Sequence, residues 1–275
     1  RAGTRGIISL PADPERKAPR SMTRSHVPQR FPEIDLARGI AVIMMVVFHV
    51  AFDLYFLDIV PIQASSLPWR VLALSTAGLF LFIVGVSLSI SASHARRNLS
   101  REAFSLKYLK RGAGIFLLGI GITLVTWVIL PGLFIRFGIL HLIGLAVAAS
   151  PLYTRFSWAN LVMGSAIIFL GPVVAGIQGS DWLLWLGIHP PTFYSIDYTP
   201  VFPWLGVVLI GVFFGNILYP GGRQRWQPVV PAPVKETAGF LGRHSLAIYL
   251  IHQPVILGVI FLLYPDVLAM VVPGG

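Results

Sequence analysis

The first long apolar segment of the chain carries four ionisable side chains on one face. They are Asp35, Arg38, His49 and Asp53, and on a helix they fall within an arc of about 60°. An ionisable group inside a membrane span costs roughly 2.5–3.5 kcal/mol. We therefore expect this polar face to point into a bundle of helices rather than at lipid.

His49 and Asp53 have the spacing of a general base and the group that orients it. His49 follows Arg38 by roughly 16 Å along a helix axis, near mid-membrane, whereas Arg38 can reach the headgroups. Asp53 comes one turn later, where its carboxylate can accept a hydrogen bond from the imidazole and raise its basicity. The alternative is a pair that only joins helices. The cost of burying such groups favours a catalytic role for both residues.

Two other apolar segments carry histidine near the expected mid-depth. His141 lies in FGILHLIG, and His252 shares a face with Ser245 and Tyr249 on the last segment. We expect a cavity shared by the three histidines, with His141, Tyr249 and His252 binding substrate. A simple hydrogen bond between helices is an equal alternative for His141.

The elements that must position these residues are membrane helices. Of 275 residues, 55% are hydrophobic and 12% are charged, whereas soluble domains are roughly 25% charged. The apolar residues form runs near the thickness of a bilayer. We predict an all-α fold, a polytopic membrane helix bundle of about seven spans. The absence of cysteine excludes disulfides, thiolate metal sites and cysteine nucleophiles, and we expect no metal site.

Windows of bilayer length predict the spans. They are Ile34–Ile59, Trp69–Ser93, Tyr108–Leu130, Leu133–Ser150, Trp158–Gln178, Val201–Tyr219 and Phe240–Leu263. The stretch Trp182–Ile188 is too short to span and is predicted to be an amphipathic or re-entrant piece on the outer face. Closely spaced glycines are interpreted as helix-packing positions; they are Gly112, Gly114, Gly119, Gly121, Gly211 and Gly215.

The distribution of basic residues predicts a cytosolic N-terminus. Of 21 Lys and Arg residues, only Arg70 and Arg136 fall on the outer side in this arrangement. Residues 1–30 are predicted to be a disordered basic cytosolic tail, with Met22 as an alternative start, residues 31–265 the membrane domain and residues 266–275 a short outer tail. Nearly all the basic residues that give the net charge of +10 lie between the apolar segments on one side of the membrane. We therefore expect membrane lipid as a partner and no nucleic acid.

The loop between the second and third spans, HARRNLSREAFSLKYLKRG, could bind phosphate groups through its arginines. Contact with lipid headgroups is the alternative. On the outer side, aromatic residues and carboxylates form a surface suited to a sugar, with Asp197 in DYTP as the first candidate. The usual aromatic belt of membrane proteins also explains the tryptophans.

Six segments together resemble a known family. They are EIDLARGIAVIMMVVFH, FIVGVSLSIS, YLKRG, FGILHLIG, DYTPVFPWLGVVLIG and GRHSLAIYLIHQP, between about Arg30 and Ile256. The chain resembles the short prokaryotic members of the heparan-alpha-glucosaminide N-acetyltransferase-like family, within the wider superfamily of integral membrane acyltransferases. Some animal members have their candidate catalytic histidine beyond the first helix, where residues 57–67 contain none. The heparan-specific activity is therefore not carried over.

The resemblance implies a multi-pass acetyltransferase of the cell membrane that modifies a carbohydrate-like acceptor with acetyl-CoA. Arg38, Lys110, Arg111 and His244 would bind the cofactor. His49, oriented by Asp53, would deprotonate an amine or hydroxyl of the acceptor, or be acetylated itself. The acceptor and the oligomeric state, including a homo-oligomer, stay open.

Two other functions would also use histidines inside the membrane. One is a b-type haem electron carrier with axial histidines from two spans. The other is a transporter or proton-coupled channel, although no inverted repeat is evident.

Overall fold

The computed structural model describes residues 31–61, 63, 66–225 and 231–267, and only the backbone of residues 232–235 and 238. Eight α-helices lie in these ranges. They are α1 (Pro32–Phe56), α2 (Leu67–Asn98), α3 (Arg101–Ile129), α4 (Ile139–Tyr153), α5 (Trp158–Ala175), α6 (Val201–Leu218), α7 (Ala232–Arg243) and α8 (Ser245–Leu263). The described residues form no strand, so the predicted all-α class is confirmed.

Local chemistry explains where several helices begin. Proline stands in the first turn of α1 and of α2, where its missing N–H costs no intrahelical bond. Ser100 caps α3 by accepting a hydrogen bond from the Ala103 amide over 3.3 Å, and Glu102 follows where a negative charge suits the helix dipole. The cap at Ser100 thus lets α3 begin with only two residues between it and the end of α2.

Six of the described helices are long and apolar enough to cross a membrane, namely α1, α2, α3, α5, α6 and α8. The predicted fourth span is the apolar but shorter helix α4. The predicted last span is two helices, because the backbone leaves the helical conformation at His244. The predicted piece Trp182–Ile188 forms no helix of its own beyond a 3₁₀ turn at Asp181–Leu183. The predicted tails, residues 1–30 and most of 266–275, lie outside the described residues.

Glycines let three pairs of helices approach closely. A side chain at Gly85 of α2 would collide with the Val208 carbonyl of α6, and one at Gly144 of α4 would lie 2.6 Å from the Phe116 amide of α3. Gly164 and Gly206 do the same between α5 and α6. The predicted packing role is confirmed for Gly112, Gly119, Gly211 and Gly215. It is wrong for Gly114 and Gly121, where an added Cβ would meet no atom of another helix within 4 Å in the part of the chain that the structure describes.

The two ends of the bundle differ in charge. At the basic end, defined by Arg38, Arg96, Arg111 and Arg243, Arg96 donates a hydrogen bond to Thr154 just after α4. At the opposite end, defined by Arg136, Asp181 and Asp197, the loops between α3 and α4 and between α5 and α6 meet. Helix α7 packs on the start of α1 at the basic end, with Gly242 against the Asp35 backbone.

Candidate active site

A cavity of about 290 Å³ lies among α1, α2, α3 and α4 and the junction of α7 with α8. Aliphatic side chains of α2, α3 and α4 form most of its walls, including Ile83, Val84, Ile115, Ile143 and Val147. The part of the cavity that these residues line is therefore apolar and suits a largely uncharged group.

Three arginines line this cavity towards the basic end: Arg38 of α1, Arg111 of α3 and Arg243 of α7. Arg38 donates hydrogen bonds to the Ser87 hydroxyl over 2.6 Å and to Asp35 over 3.1 Å. Among the described residues, Asp35 is the only carboxylate that forms an ion pair with any of the three. Guanidinium groups gathered with so little opposing charge favour an anion, and their geometry suits phosphate.

The predicted cofactor residues divide into two groups. Arg38 and Arg111 line the cavity, whereas Lys110 and His244 are not among its lining residues. Lys110 points about 100° round α3 from Arg111, and the His244 ring bonds the Phe240 carbonyl of its own helix over 2.9 Å.

Arg243 is a cavity residue that the sequence prediction left out. It ends α7 directly before the helix break at His244, and α7 packs on α1, which also lines the cavity. The apolar pattern predicts one continuous helix, Phe240–Leu263, and so misses this break. A short amphipathic helix that ends just before the last span is the sequence signal that could have revealed Arg243.

Phe80 and Tyr249 mark the inner end of the cavity. On α2 and α8 they are the lining residues farthest from the basic end, and their ring centroids lie 6.5 Å apart. Within the described part of the chain the Tyr249 hydroxyl has no hydrogen-bond partner. A polar hydrogen is thus available at the end of an apolar cavity.

His49 of α1 and His252 of α8 meet beyond this inner end, with ring centroids 4.6 Å apart and an interplanar angle of 78°. The Nδ1 of His49 donates to the Met45 carbonyl over 2.8 Å, and the Nδ1 of His252 donates to the Tyr249 carbonyl over 2.6 Å. Because a carbonyl oxygen only accepts, each Nδ1 carries a proton and each neutral ring has a free acceptor at Nε2. The Nε2 of His252 is buried without a partner in the described residues.

The expected hydrogen bond between His49 and Asp53 is not formed. The amide of Gln253 on α8 instead donates to both carboxylate oxygens of Asp53 over 2.8 Å. Asp53 is only 3% exposed, and the pair joins α1 to α8 beside the two histidines. The Asp53 carboxylate is therefore bonded to Gln253 of the neighbouring helix α8 rather than to the His49 imidazole.

The histidine pair is adjacent to the cavity but does not line it. Neither His49 nor His252 is among the lining residues, and the His252 ring lies 5.7 Å from the Tyr249 ring. Tyr249, His252 and His49 thus follow one another from the cavity inwards. The contact between the two imidazoles also leaves no room for a planar haem between them as axial ligands.

His141 does not join the other histidines. It is the third residue of α4, not a mid-helix residue, because α4 begins only at Ile139. Its Nδ1 accepts a hydrogen bond from the Gly138 amide over 3.2 Å, and its ring packs on Phe116 of α3. The expectation of one cavity shared by three histidines is wrong, since His141 closes the start of α4 on the side of α3.

Asp197 also serves the start of α4. Its carboxylate accepts hydrogen bonds from the Ile139 amide over 3.3 Å and from the Thr199 hydroxyl over 3.0 Å. Burial raises the pKa of the Asp197 carboxyl above its usual value, although these two hydrogen bonds lower it. Asp197 is thus a helix cap supplied by a distant loop, and it lies within electrostatic reach of Tyr249.

The rest of the opposite end is less acidic than expected. Arg136 forms an ion pair with Asp181 over 3.1 Å and lies over the Phe134 and Phe193 rings. Trp182 is 87% exposed, as a residue of an aromatic belt would be.

Comparison with known families gives one match. Residues 30–254 match the family model described as heparan-alpha-glucosaminide N-acetyltransferase, catalytic. No curated protein and no solved structure matches the chain.

Proposed function

Since the chain belongs to the heparan-alpha-glucosaminide N-acetyltransferase catalytic family and is thus a membrane acetyltransferase, we propose that its donor is acetyl-CoA and its acceptor a sugar-like amine or alcohol. The one observation that carries the donor is the cavity with three arginines at one end and apolar walls beyond them. Coenzyme A has the matching order of groups, because its phosphates precede an uncharged arm that ends in the thioester.

The phosphates of the donor bind at Arg38, Arg111 and Arg243. Arg111 and Arg243 are the stronger candidates for direct contact, since Arg38 already donates to Ser87 and Asp35. Coenzyme A is cytosolic, so this proposal puts the basic end of the bundle on the cytosolic side. The bias of lysine and arginine in the sequence supports the same orientation.

The arm of the donor extends between α2 and α4 towards Phe80 and Tyr249, which brings the thioester next to the histidine pair. His49 and His252 both present an unprotonated Nε2. Either one can accept the proton of the acceptor as its nitrogen or oxygen attacks the thioester carbon, and return it to the departing thiolate. A covalent acetyl-histidine is the other route, and isolation of an acetyl-enzyme would distinguish them.

The acceptor reaches the site from the opposite end, where the loop before α6 carries Asp197 and Tyr198. Asp197 supports this site through α4, because its carboxylate holds the start of that helix and Ile139 lines the cavity. His141 has the same supporting role from the other side of α4.

Equilibrium binding of acetyl-CoA to the purified protein tests the donor. Arg111→Ala and Arg243→Ala should each weaken binding about tenfold or more, since a hydrogen bond to a charged group contributes about 1.5–3 kcal/mol. Arg101→Ala is the matched control, because Arg101 is exposed at the same end and does not line the cavity. Unchanged affinity in both cavity variants, or no binding by the wild type, would refute the proposal.

A screen of amino sugars with radiolabelled acetyl-CoA then tests the acceptor. Acetyl transfer to the amine or a hydroxyl of one of them is the expected result. Movement of a solute or of protons across vesicles, without any transfer or hydrolysis of acetyl-CoA, would instead favour a transporter.

A further inference from the structure

Among the described residues that line the cavity, Tyr249 has the only polar side chain at the inner end, and Asp197 lies within electrostatic reach of it without lining the cavity. The Tyr249 ring lies between the ring of Phe80, at 6.5 Å, and the ring of His252, at 5.7 Å. The other lining residues at this level, Phe80, Ile139 and Leu140, offer no side-chain hydrogen-bond donor. Tyr249 is therefore the lining residue at this level that could donate a hydrogen bond from its side chain to a ligand.

The hydroxyl is free to donate. Other tyrosines of the bundle use theirs within the protein: Tyr153 donates to the Ala146 carbonyl, Tyr198 to the Leu184 carbonyl and Tyr219 to Glu33. Tyr249 has no such partner in the described residues. A hydroxyl without a protein partner, at the end of an apolar cavity, indicates a ligand that supplies an acceptor atom.

The main chain of Tyr249 is fixed at the same time. Its carbonyl oxygen accepts the Nδ1 proton of His252 over 2.6 Å, which keeps the acceptor nitrogen Nε2 of that ring available. One residue thus holds the tautomer of the histidine with its backbone and presents a donor with its side chain.

We infer that Tyr249 is a catalytic residue whose hydroxyl donates a hydrogen bond to the carbonyl oxygen of the thioester while that oxygen carries negative charge. The inference rests on the proposed function, because it needs acetyl-CoA in the cavity. A donor aimed at an oxyanion in a site without water contributes strongly to acyl transfer.

The transfer step balances with the groups present. The acceptor nitrogen or oxygen bonds to the thioester carbon as its proton moves to a histidine Nε2, and the carbonyl π electrons move to the oxygen. Tyr249 donates to this oxyanion. The carbon–sulfur bond then breaks, the carbonyl re-forms, and the departing thiolate takes the proton from the imidazolium.

Tyr249→Phe tests this role, because it removes the hydroxyl and keeps the ring contacts with Phe80 and His252. We expect the kcat of acetyl transfer to fall about 100- to 1000-fold, the usual effect of losing one oxyanion donor. The Kd for acetyl-CoA, measured on the same preparation, should stay within about twofold. Tyr264→Phe, at the exposed end of α8, is the matched control and should leave both values unchanged.

An unchanged kcat in Tyr249→Phe would overturn the inference. A loss of acetyl-CoA affinity as large as the loss of kcat would also overturn it, since the hydroxyl would then act on the bound ground state. These results are distinct from failure of the proposed function, which would appear in the wild type as no binding of acetyl-CoA and no transfer.

Discussion

His49 on α1 and His252 on α8 form one edge-to-face pair, with ring centroids 4.6 Å apart. Each ring is held by a hydrogen bond from its Nδ1 to a main-chain carbonyl of its own helix. The pair therefore presents two acceptor nitrogens to one space, and two imidazolium charges at this distance would repel each other. We expect the pair to act as a unit with a single exchangeable proton.

The first prediction follows from this unit. His252→Ala should reduce the rate of acetyl transfer about 100-fold or more, as His49→Ala should, because the two rings pack on each other and the remaining imidazole loses the neighbour that positions it as the base. The double variant should be little worse than the single ones, since residues that act together are not additive. Initial rates with radiolabelled acetyl-CoA measure all three.

His94→Ala is the matched control for both histidine variants. Its Nδ1 bonds the Ile90 carbonyl over 3.0 Å in the same manner as His49 bonds Met45, but it lies near the basic end against Gly222. Its rate should be that of the wild type. Rate losses of His49→Ala and His252→Ala that multiply in the double variant would argue for separate roles.

The second prediction concerns the link between Asp53 and Gln253. Gln253→Ala removes both hydrogen bonds to a carboxylate that is almost fully buried, so the free energy of unfolding should fall by about 1–3 kcal/mol. Asp53→Ala in the same chain should recover part of this loss, because the unpaired carboxylate is then absent. Denaturant unfolding in detergent of the two single variants and the double variant gives the coupling, and simple additivity would contradict it.

The third prediction concerns Asp197 and pH. Burial raises the pKa of this carboxyl above its usual 3.8, so the folded protein retains its proton to higher pH than the unfolded chain does. The contribution of Asp197 to the free energy of unfolding is complete below 3.8 and is lost as the pH rises through the raised pKa. Unfolding measured against pH should show this fall in the wild type and lack it in Asp197→Asn.

Asp197→Ala separates the cap from the charge. It leaves the Ile139 amide without its acceptor at the start of α4. Compared with Asp197→Asn, which likewise does not titrate but keeps an acceptor oxygen, it should lower the free energy of unfolding by about 1 kcal/mol at every pH. If Asp197→Asn keeps the pH dependence of the wild type over this range, another group is responsible for it.

The fourth prediction compares two glycines of α2. Gly85→Ala places a methyl group against the Val208 carbonyl and the Gly211 backbone of α6, so it should destabilise the protein by about 1–3 kcal/mol. The methyl group of Gly78→Ala would meet no described residue outside its own helix within 4 Å, and this change should be neutral or stabilising. Thermal unfolding of both variants decides the matter, and equal midpoints would contradict close packing of α2 on α6.

The polar face of α1 shows what the sequence could predict. Helical periodicity is a local property, and it correctly indicated that Arg38, His49 and Asp53 lie towards other helices. Ile43 and Val47, on another face of the same helix, are exposed in the structure. The family was likewise recognisable from short segments, and the family match covers the same region. The pairing of His49 with Asp53 was inferred from spacing alone and was wrong.

Partners from distant segments could not be predicted in this way. Gln253 is 200 residues from Asp53, and only the packing of α8 on α1 brings its amide to the carboxylate. His141 was assigned to mid-membrane because the start of α4 was predicted too early. Ile139 begins this helix, and its amide needs a cap from Asp197, which is 58 residues away.

The contact at Gly242 joins the two helices that carry Arg38 and Arg243, two of the three cavity arginines. An added Cβ there would lie 2.7 Å from the Asp35 carbonyl, and Asp35 bonds Arg38, while Arg243 is the next residue along α7. Arg111 belongs to α3, whose main neighbour is α4. The distance between Arg111 and the other two arginines thus depends on how the α3–α4 pair packs relative to the α1–α7 pair. Gly242→Ala changes no charge, but its methyl group would push α7 away from α1. Arg243 would then shift relative to Arg38 and Arg111, and the cavity would select different anions.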